Sequence, residues 1–198
     1  MLKSPRFDEL VAKFSSLPGI GKKTAQRLAW HLLSIPKEKA LELSTAIQNA
    51  VQSYTTCSIC CMLTEVNPCT LCTSPERDDS QLCVVESHSD VFTLESMNEY
   101  RGRYYVLGHL LSPLDGYGPD ALGIPGLLKR IEELQPEELI LALKPSAEGE
   151  ATIHYLTELL QDHELNITRL SVGLPFGGDL EYSGTLTLAN AFKRRFPA

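Results

Sequence analysis

Residues 17–33 read LPGIGKKTAQRLAWHLL, a glycine turn that runs into a segment with helical periodicity. Gly19 and Gly21 permit backbone conformations that a side chain would block. Apolar residues then recur three and four positions apart, which predicts an amphipathic helix over residues 22–33 that ends before Pro36. Because the first N–H groups of a helix lack partners within it, this helix start is suited to binding a phosphate.

Basic side chains surround this predicted helix start. Lys22 and Lys23 stand directly beside it, and Arg27 lies one turn further along. The helix, glycine turn and helix resemble a helix–hairpin–helix motif, which binds backbone phosphates without reading the bases. The candidate DNA-binding residues are Gly19, Gly21, Lys22, Lys23 and Arg27. The alternative is an ordinary helical hairpin whose basic face is only solvated.

Two further helices are predicted on either side of this segment. Residues 6–14 carry apolar side chains on one helical face. Residues 37–54 predict a third helix, and we expect its apolar side chains, Leu41 and Ile47 among them, to face mostly inward. Together these elements predict a helical domain over residues 1–55.

Charge is unevenly distributed along the 198-residue chain, whose formal net charge is −7. Residues 1–40 hold eight basic and three acidic side chains, whereas the remainder holds ten basic and 22 acidic ones. This asymmetry indicates that only the N-terminal part meets a polyanion. The 43% of hydrophobic residues is enough for packed cores and argues against a disordered chain.

The sequence also favours a reducing compartment. No apolar run approaches the about 20 residues that a membrane helix needs. The first ten residues, MLKSPRFDEL, lack the apolar core of a signal peptide. We therefore expect a cytoplasmic protein. In that reducing compartment, its six cysteines are more suited to binding metal than to forming disulfides.

Four cysteines form two C-x-x-C pairs, Cys57 with Cys60 and Cys69 with Cys72. Two such pairs facing each other give the tetrahedral four-sulfur site that suits Zn²⁺. Because four protein ligands leave no open position, we predict structural zinc in a small finger over residues 56–80. A redox role is the weaker alternative, since a single pair would suffice for it.

From residue 81 onward, short apolar runs alternate with helical stretches. The predicted strands cover residues 82–85, 104–107, 139–143 and 167–172, and the predicted helices lie near 90–99, 119–134, 150–163 and 185–195. Nearly continuous apolar strands separated by helices predict a parallel sheet covered on both faces. The predicted fold class is therefore α/β in several domains, with the sheet domain over residues 81–175 and a C-terminal segment over 176–198.

Acidic side chains follow three of the predicted strands. Glu86 closes the first strand, Asp115 follows the second, and Glu148 and Glu150 follow the third. Carboxyl ends of neighbouring parallel strands meet at one crevice, where carboxylates can hold Mg²⁺. We therefore predict a shared site, with simple solvated carboxylates as the alternative.

In this order the motifs resemble the RecR recombination-repair family over essentially the whole chain. The segments that carry the resemblance are LPGIGKKTAQRLAWHLL, the four cysteines, RDDSQLCVVE, GRYYVLGHLLSPLDGYGPDALGI, PSAEGEAT and GLPFGGDLEY. The resemblance implies a helix–hairpin–helix domain, a four-cysteine zinc finger and a Toprim-type domain with a C-terminal helix. It also implies DNA contacts at Lys23 and Arg27, with Lys22 an adjacent candidate, and zinc at the four cysteines.

The same resemblance implies a cellular role. Family members form dimers and ring-shaped tetramers that encircle DNA, and they belong to the bacterial cytoplasm, associated with the nucleoid. With RecO and RecF they help to load RecA onto single-stranded DNA at gaps coated by single-strand-binding protein.

At the acidic crevice, the resemblance makes Glu86 the first Toprim acid and puts Glu148 and Glu150 in the place of the acid-x-acid pair. That pair is usually two aspartates in Toprim enzymes, so longer glutamates disfavour tight catalytic metal geometry. Lys144 stands in a segment where the family more often has Thr-Asn-Pro, and it can weaken metal binding or pair with Glu148.

Two functions follow from these features. The first is a non-enzymatic DNA clamp and recombination mediator, whose acidic body suits a basic partner such as RecO. The second is a Mg²⁺-dependent Toprim phosphoryl-transfer enzyme, namely a nuclease, a primase-like protein or a topoisomerase-like protein. The sequence favours the first, because no tyrosine lies in a cleavage-domain context and no strand-passage domain is present.

Overall fold

The computed structural model of the protein describes residues 4–171, 173–174, 177–193 and 195. Its contacts divide the chain into two compact units, an N-terminal unit that ends at Tyr54 and a C-terminal unit that begins at Thr55. None of the helices in the described part has the length and apolar character needed to cross a bilayer. Val172, the expected last residue of the fourth strand, lies outside the described residues.

The N-terminal unit consists of three helices: α1 (Pro5–Ser15), α2 (Lys22–Ser34) and α3 (Lys37–Ser53). The first two pack on each other around a small core formed by Val11, Ala25 and Ala29. Alanine at the two α2 positions allows the helices to approach closely, because it places only a methyl group between them. The predicted helices on both sides of the glycine turn are therefore confirmed.

Helix α3 behaves differently from the prediction, because none of its residues is buried. Leu41 is 55% exposed and Ile47 is 56% exposed. The expectation that these side chains face mostly inward is therefore wrong for a single chain. Since α1 and α2 already close the core between them, α3 adds an apolar face that remains largely exposed among the described residues 4–54.

The C-terminal unit opens with a small cysteine-containing segment and continues as alternating strands and helices. The cysteine segment contains β1 (Thr55–Thr56), β2 (Leu63–Thr64) and the one-turn helix α4 (Thr70–Thr73). The elements that follow are β3 (Asp78–Val85), α5 (His88–Ser96), β4 (Gly102–Val106), α6 (Ile124–Leu134), β5 (Glu138–Ala142), α7 (Ala147–Leu159), β6 (Asn166–Arg169) and α8 (Thr185–Lys193). The helix expected from residue 119 begins only at Ile124, because Pro119–Ala121 forms a separate 3₁₀ turn.

The four long strands form one parallel sheet in the order β4-β3-β5-β6. Successive residues of β3 point to opposite faces, as strand geometry requires. Leu82 and Val84 join a core with residues of α6 and α7, whereas Cys83 and Val85 join a second core on the other face. The predicted α/β class and the parallel sheet covered on both faces are therefore confirmed.

The second face is covered in part by the cysteine segment itself. Cys57, Cys60 and Met62 belong to the same buried cluster as Val85 and Tyr104 of the sheet. The segment is therefore part of the core of the C-terminal unit, a role that its sequence spacing did not indicate. Loss of order in this segment would uncover apolar side chains of β3 and β4.

Candidate metal centre and nucleic-acid interface

The four cysteines of the two C-x-x-C pairs converge on one point. Their sulfur atoms all lie within 4.8 Å of one another, with 3.9 Å between Cys57 and Cys72 and 3.5 Å between Cys60 and Cys69. Four sulfurs held tetrahedrally at about 2.3 Å from a zinc ion are about 3.8 Å apart, so the cluster fits such an ion. Among the residues that the structure describes, no other group of three or more potential ligands is this close. The cluster can therefore hold a metal ion.

Short backbone hydrogen bonds shape both cysteine pairs. In the first pair, the Cys57 N–H donates to Met62 O at 2.8 Å and the Cys61 N–H donates to Cys57 O at 3.1 Å. In the second, Cys69 precedes α4 and accepts at its carbonyl from the Cys72 N–H at 3.0 Å. The Cys69 N–H also donates to the Cys57 sulfur at 3.3 Å, which joins the two pairs.

The clustered thiols change one another's ionisation. Hydrogen bonds from Cys60 and Cys72 hold the pKa of the Cys69 thiol below its ordinary value, despite its burial. The hydrogen bonds with Cys69 and Cys72, together with burial, raise the pKa of Cys60 above its ordinary value. One thiolate is therefore stabilised and further ionisation is opposed. A bound cation removes that opposition, because it stabilises every thiolate around it.

Sequence reasoning missed two arginines: Arg103 holds the second cysteine pair to the sheet, and Arg77 holds the start of the sheet domain to α5. The Arg103 Nη1 donates to Leu71 O at 2.8 Å and to Cys72 O at 3.0 Å, and its Nε donates to Asp79 at 2.6 Å. Arg77 forms a bidentate ion pair with the carboxylate of Glu95. No local pattern reveals these contacts, since the partners lie between 18 and 32 residues apart.

The N-terminus of α2 is open and basic. Gly21 is the N-cap residue, no side chain caps the helix, and its first turn contains no acid. Lys22, Lys23 and Arg27 are all exposed, and none of them forms an ion pair within the described residues. The free N–H groups, the helix dipole and three unneutralised cations make this surface attractive to a phosphate.

The two glycines of the turn contribute in different ways. Gly19 has φ +77°, a left-handed conformation that favours glycine. Gly21 has φ −77°, which any residue adopts, so the expectation that its backbone requires glycine is wrong. Nothing lies within 4 Å of a Cβ built at Gly21, and the helix start is therefore unobstructed.

Of the predicted acids, Glu86, Glu148 and Glu150 follow the carboxyl ends of two neighbouring strands. Glu86 directly follows β3, Glu148 and Glu150 lie in the first turn of α7 after β5, and Asp115 lies in a 3₁₀ turn after β4. No three of these carboxylates approach within shared-ligand distance in the described part of the chain. The topology brings the residues to one edge, whereas the side chains remain apart.

Cations of the chain itself occupy this edge. Lys144 Nζ lies 3.2 Å from Glu86 Oε1, so Lys144 pairs with Glu86 and not with Glu148 as the sequence suggested. Arg169, which was not among the residues predicted from the sequence, places its Nη1 atom 2.7 Å from Glu150 Oε2. Glu148 instead accepts a hydrogen bond from the Ser146 hydroxyl at 2.7 Å, and this bond lowers the pKa of its carboxyl. These contacts do not fit a magnesium site.

Comparisons with known proteins agree with this architecture. A family model described as "RecR, helix-hairpin-helix" matches residues 7–51, and one described as "Toprim domain" matches residues 80–171. A Recombination protein RecR from Myxococcus xanthus is 50% identical over 188 residues, which is 95% of either chain. Its counterpart from Moorella thermoacetica is 48% identical and covers 95% of this chain and 94% of its own.

A further Recombination protein RecR, from Halorhodospira halophila, is 48% identical over 192 residues, 97% of this chain and 96% of its own. These names denote a recombination protein and no catalysed reaction, which agrees with the prediction that this chain is not an enzyme. The likeness extends over the helices, the cysteine segment and the sheet domain alike. The chain belongs to the RecR family of recombination proteins.

Proposed function

We propose that this protein is a DNA-binding recombination mediator that acts as an oligomeric clamp in the bacterial cytoplasm, associated with the nucleoid. With RecO and RecF, it promotes loading of RecA at single-stranded gaps. The observation that carries the DNA-binding part is the uncapped, acid-free N-terminus of α2 with three exposed cations. Such contacts grip phosphates and give binding that is independent of base sequence.

The division of charge supports a single DNA-binding surface. The residues up to 54 hold eight basic and four acidic side chains, whereas residues 55–198 hold ten basic and 21 acidic ones. A strongly acidic unit repels a polyanion, so the N-terminal unit is the part of the chain that binds the strand. The DNA contacts of this proposal are Gly19, Gly21, Lys22, Lys23 and Arg27.

Zinc is the metal we propose for the cysteine cluster. The four sulfur ligands and their tetrahedral spacing support zinc, and four protein ligands leave no position for a reacting water. The role is structural, because the cysteine segment shares a buried core with β3 and β4. We propose the boundaries of this finger as residues 56–80.

The exposed face of α3 supports the homo-oligomer. Leu33, Leu43 and Ile47 line an apolar groove of about 470 Å³ within the N-terminal unit, and Val51 is 74% exposed beyond it. Apolar patches of this kind mark protein–protein contacts. A second copy of the chain covers this face in the proposed dimer, and several linked N-terminal units then hold DNA together through effective concentration.

The acids at the sheet edge are proposed as part of a surface for RecO. Asp115 and Glu150 are exposed, and Glu86 and Glu148 are half-buried. Lys144 and Arg169 pair with only two of these four acids, so the edge keeps a net negative charge for a basic partner. We expect Glu148→Lys to weaken RecO binding more than DNA binding, because charge complementarity governs that contact. Equal losses of both would contradict this assignment.

Reconstituted loading tests the whole proposal. RecA filament formation is measured on gapped DNA coated with single-strand-binding protein, with RecO and with the wild-type chain or its Lys23→Ala, Arg27→Ala variant. We expect the wild type to accelerate filament formation and the variant to lose most of that effect. If both proteins act equally, the α2 surface is not the DNA contact.

The enzymatic alternative makes a different prediction. A Toprim nuclease or primase-like enzyme would process gapped DNA when Mg²⁺ is added, and Glu86→Ala would abolish turnover. The pairing of Glu86 with Lys144 and of Glu150 with Arg169 supports the mediator instead. Robust Mg²⁺-dependent turnover lost in Glu86→Ala would reverse this choice.

A further inference from the structure

One buried arginine of the C-terminal unit has no hydrogen-bond or ion-pair partner among the residues that the structure describes. Arg130, in α6, is only 9% exposed, and its Nε atom is fully buried without a hydrogen bond. Within the described residues, its guanidinium takes part in no ion pair. A buried polar atom without a hydrogen bond opposes folding unless a ligand or an ordered water supplies the missing partner.

Two other well-buried arginines of this unit, Arg77 and Arg103, have carboxylate partners. Arg77 binds both carboxylate oxygens of Glu95, and Arg103 binds Asp79 and two backbone carbonyls. The side chains of both are only 9% exposed, as deep as Arg130. Arg130 therefore differs from Arg77 and Arg103, because the described residues give its buried Nε atom no hydrogen-bond partner.

The guanidinium lines a cleft of about 350 Å³ between the cysteine segment and α6. Ser58 and Cys61 contribute the wall from the cysteine segment, and Tyr105 contributes the sheet side. Tyr105 is held in place, because its hydroxyl donates to Gly123 O at 2.7 Å and accepts from the Cys61 thiol at 3.6 Å. The sheet side of the cleft is thus held in a fixed position by these two hydrogen bonds.

Two cations and one acid set the charge of this cleft. Lys129 lines it beside Arg130, and Glu133 lies 3.6 Å from the lysine ammonium. That lysine is 75% exposed and its pair with Glu133 is weak, as surface pairs are. One net positive charge remains at the buried guanidinium, and an anion of small size neutralises it.

We propose that this cleft binds a phosphate group, either free phosphate or the phosphate of a nucleotide. The planar guanidinium donates two parallel hydrogen bonds to an oxyanion, and the several oxygens of a phosphate leave others for Lys129. The volume of about 350 Å³ has room for a phosphate or a nucleotide but not for a strand. The 21 acids and ten bases of residues 55–198 also repel a polyanion from this unit.

Phosphate bound here joins the cysteine segment to α6. Since a ligand that binds only the folded state adds RT ln(1 + [L]/Kd) to the free energy of unfolding, phosphate raises the melting temperature of the C-terminal unit. Above the dissociation constant the stability rises with the logarithm of phosphate concentration, whereas salt screening stays the same when ionic strength is held constant.

The experiment uses the full chain with its metal bound and free of excess zinc. Melting temperatures are measured against inorganic phosphate, with sodium chloride added to keep ionic strength constant. The test variant is Arg130→Met, which keeps the length of the side chain and removes its charge. The matched control is Arg101→Met, an exposed arginine of the same unit.

We expect the melting temperature of the wild type and of Arg101→Met to rise with the logarithm of phosphate concentration above the dissociation constant. The apparent dissociation constant for phosphate should be at least tenfold higher in Arg130→Met, and metal content should be unchanged. A wild-type protein that does not respond to phosphate overturns the proposal, as does an Arg130→Met protein that responds like the wild type.

Two further arms complete the test. If Arg130→Met does not fold, Lys129→Met serves in its place, and a phosphate affinity equal to that of the wild type overturns the proposal.

The affinities for AMP and inorganic phosphate identify the source of the phosphate group, with adenosine as the control that lacks it. AMP binding tighter than phosphate supports a nucleotide, and equal affinities support free phosphate. A loss of DNA binding in Arg130→Met as large as in Lys23→Ala would indicate a strand contact and overturn the proposal.

Discussion

Removal of two cations from the N-terminus of α2 should change how DNA binding depends on salt. The perturbation is the double substitution Lys23→Ala, Arg27→Ala. Both side chains are exposed and unpaired within the described residues, so each can neutralise one phosphate without breaking another contact. Each neutralised phosphate of a single strand contributes about 0.7 to the slope of log affinity against log salt.

The expected magnitude follows directly. Two lost contacts reduce the slope by about 1.4 for each subunit that binds the strand. Between about 50 mM and about 200 mM salt, the ratio of wild-type to variant affinity therefore falls about sevenfold. The assay is fluorescence anisotropy with a labelled single strand at several salt concentrations, with oligomeric state checked by native mass spectrometry.

A matched control is available on α3. Lys37→Ala, Lys39→Ala removes the same charge from two exposed positions of the same unit but away from the turn. The control should lower affinity only slightly, with a slope near that of the wild type. The reasoning is refuted if the α2 variant retains the wild-type slope, or if both double variants lower the slope equally.

The remaining predictions concern stability. Cys60→Ser should abolish metal binding and lower the melting temperature by about 10 °C, because the cysteine segment shares its core with the sheet. Zinc affinity should fall as pH decreases, since thiolates and not thiols bind the ion. Gly149→Ala should destabilise by about 1–3 kcal/mol, because a Cβ there would lie 1.9 Å from Lys144 O. The pKa of Glu95 lies below its ordinary value, since hydrogen bonds from Arg77 and Tyr104 outweigh the effect of burial. Stability should therefore fall as pH decreases below the ordinary carboxyl value of 4.5, and less so in Glu95→Gln.

Each of these has a direct check. Metal content and melting temperature measure the effect of Cys60→Ser, and a metal-free variant that melts like the wild type would contradict the shared core. A competition titration with a chelator at several pH values measures the zinc affinity. Gly118→Ala is the control for Gly149→Ala, because nothing lies within 4 Å of its Cβ. Urea unfolding of wild type and Glu95→Gln from neutral pH downward should give curves that converge in acid, and parallel curves would contradict the pair's contribution.

Local patterns were sufficient for the elements whose partners are near in sequence. The strand centres at residues 82–85 and 139–142 were predictable, because a fully buried parallel strand is apolar at successive positions. The cysteine cluster was equally predictable, since its spacing alone brings four sulfurs together. The helix start at Lys22 followed from glycine, periodicity and charge within one short segment.

Contacts between distant residues were not predictable in the same way. The sequence placed Glu86 and Glu150 at one sheet edge, which the topology bears out, but their separate pairing with Lys144 and Arg169 depends on side-chain positions across two strands. The inward face expected for α3 failed for a related reason. Periodicity shows that a helix has an apolar face but not which surface covers it.

The amino-acid sequence by itself determined the α/β class, the order of the segments, the metal-binding cluster and the basic turn. Each of these depends on residue type at short spacing. Only the tertiary structure decided that the cysteine segment is part of the core of the sheet, that Arg103 anchors it, and that Arg130 is buried without a partner in the described part of the chain. Those facts depend on which distant side chains meet when strands align, and no local pattern encodes such a meeting.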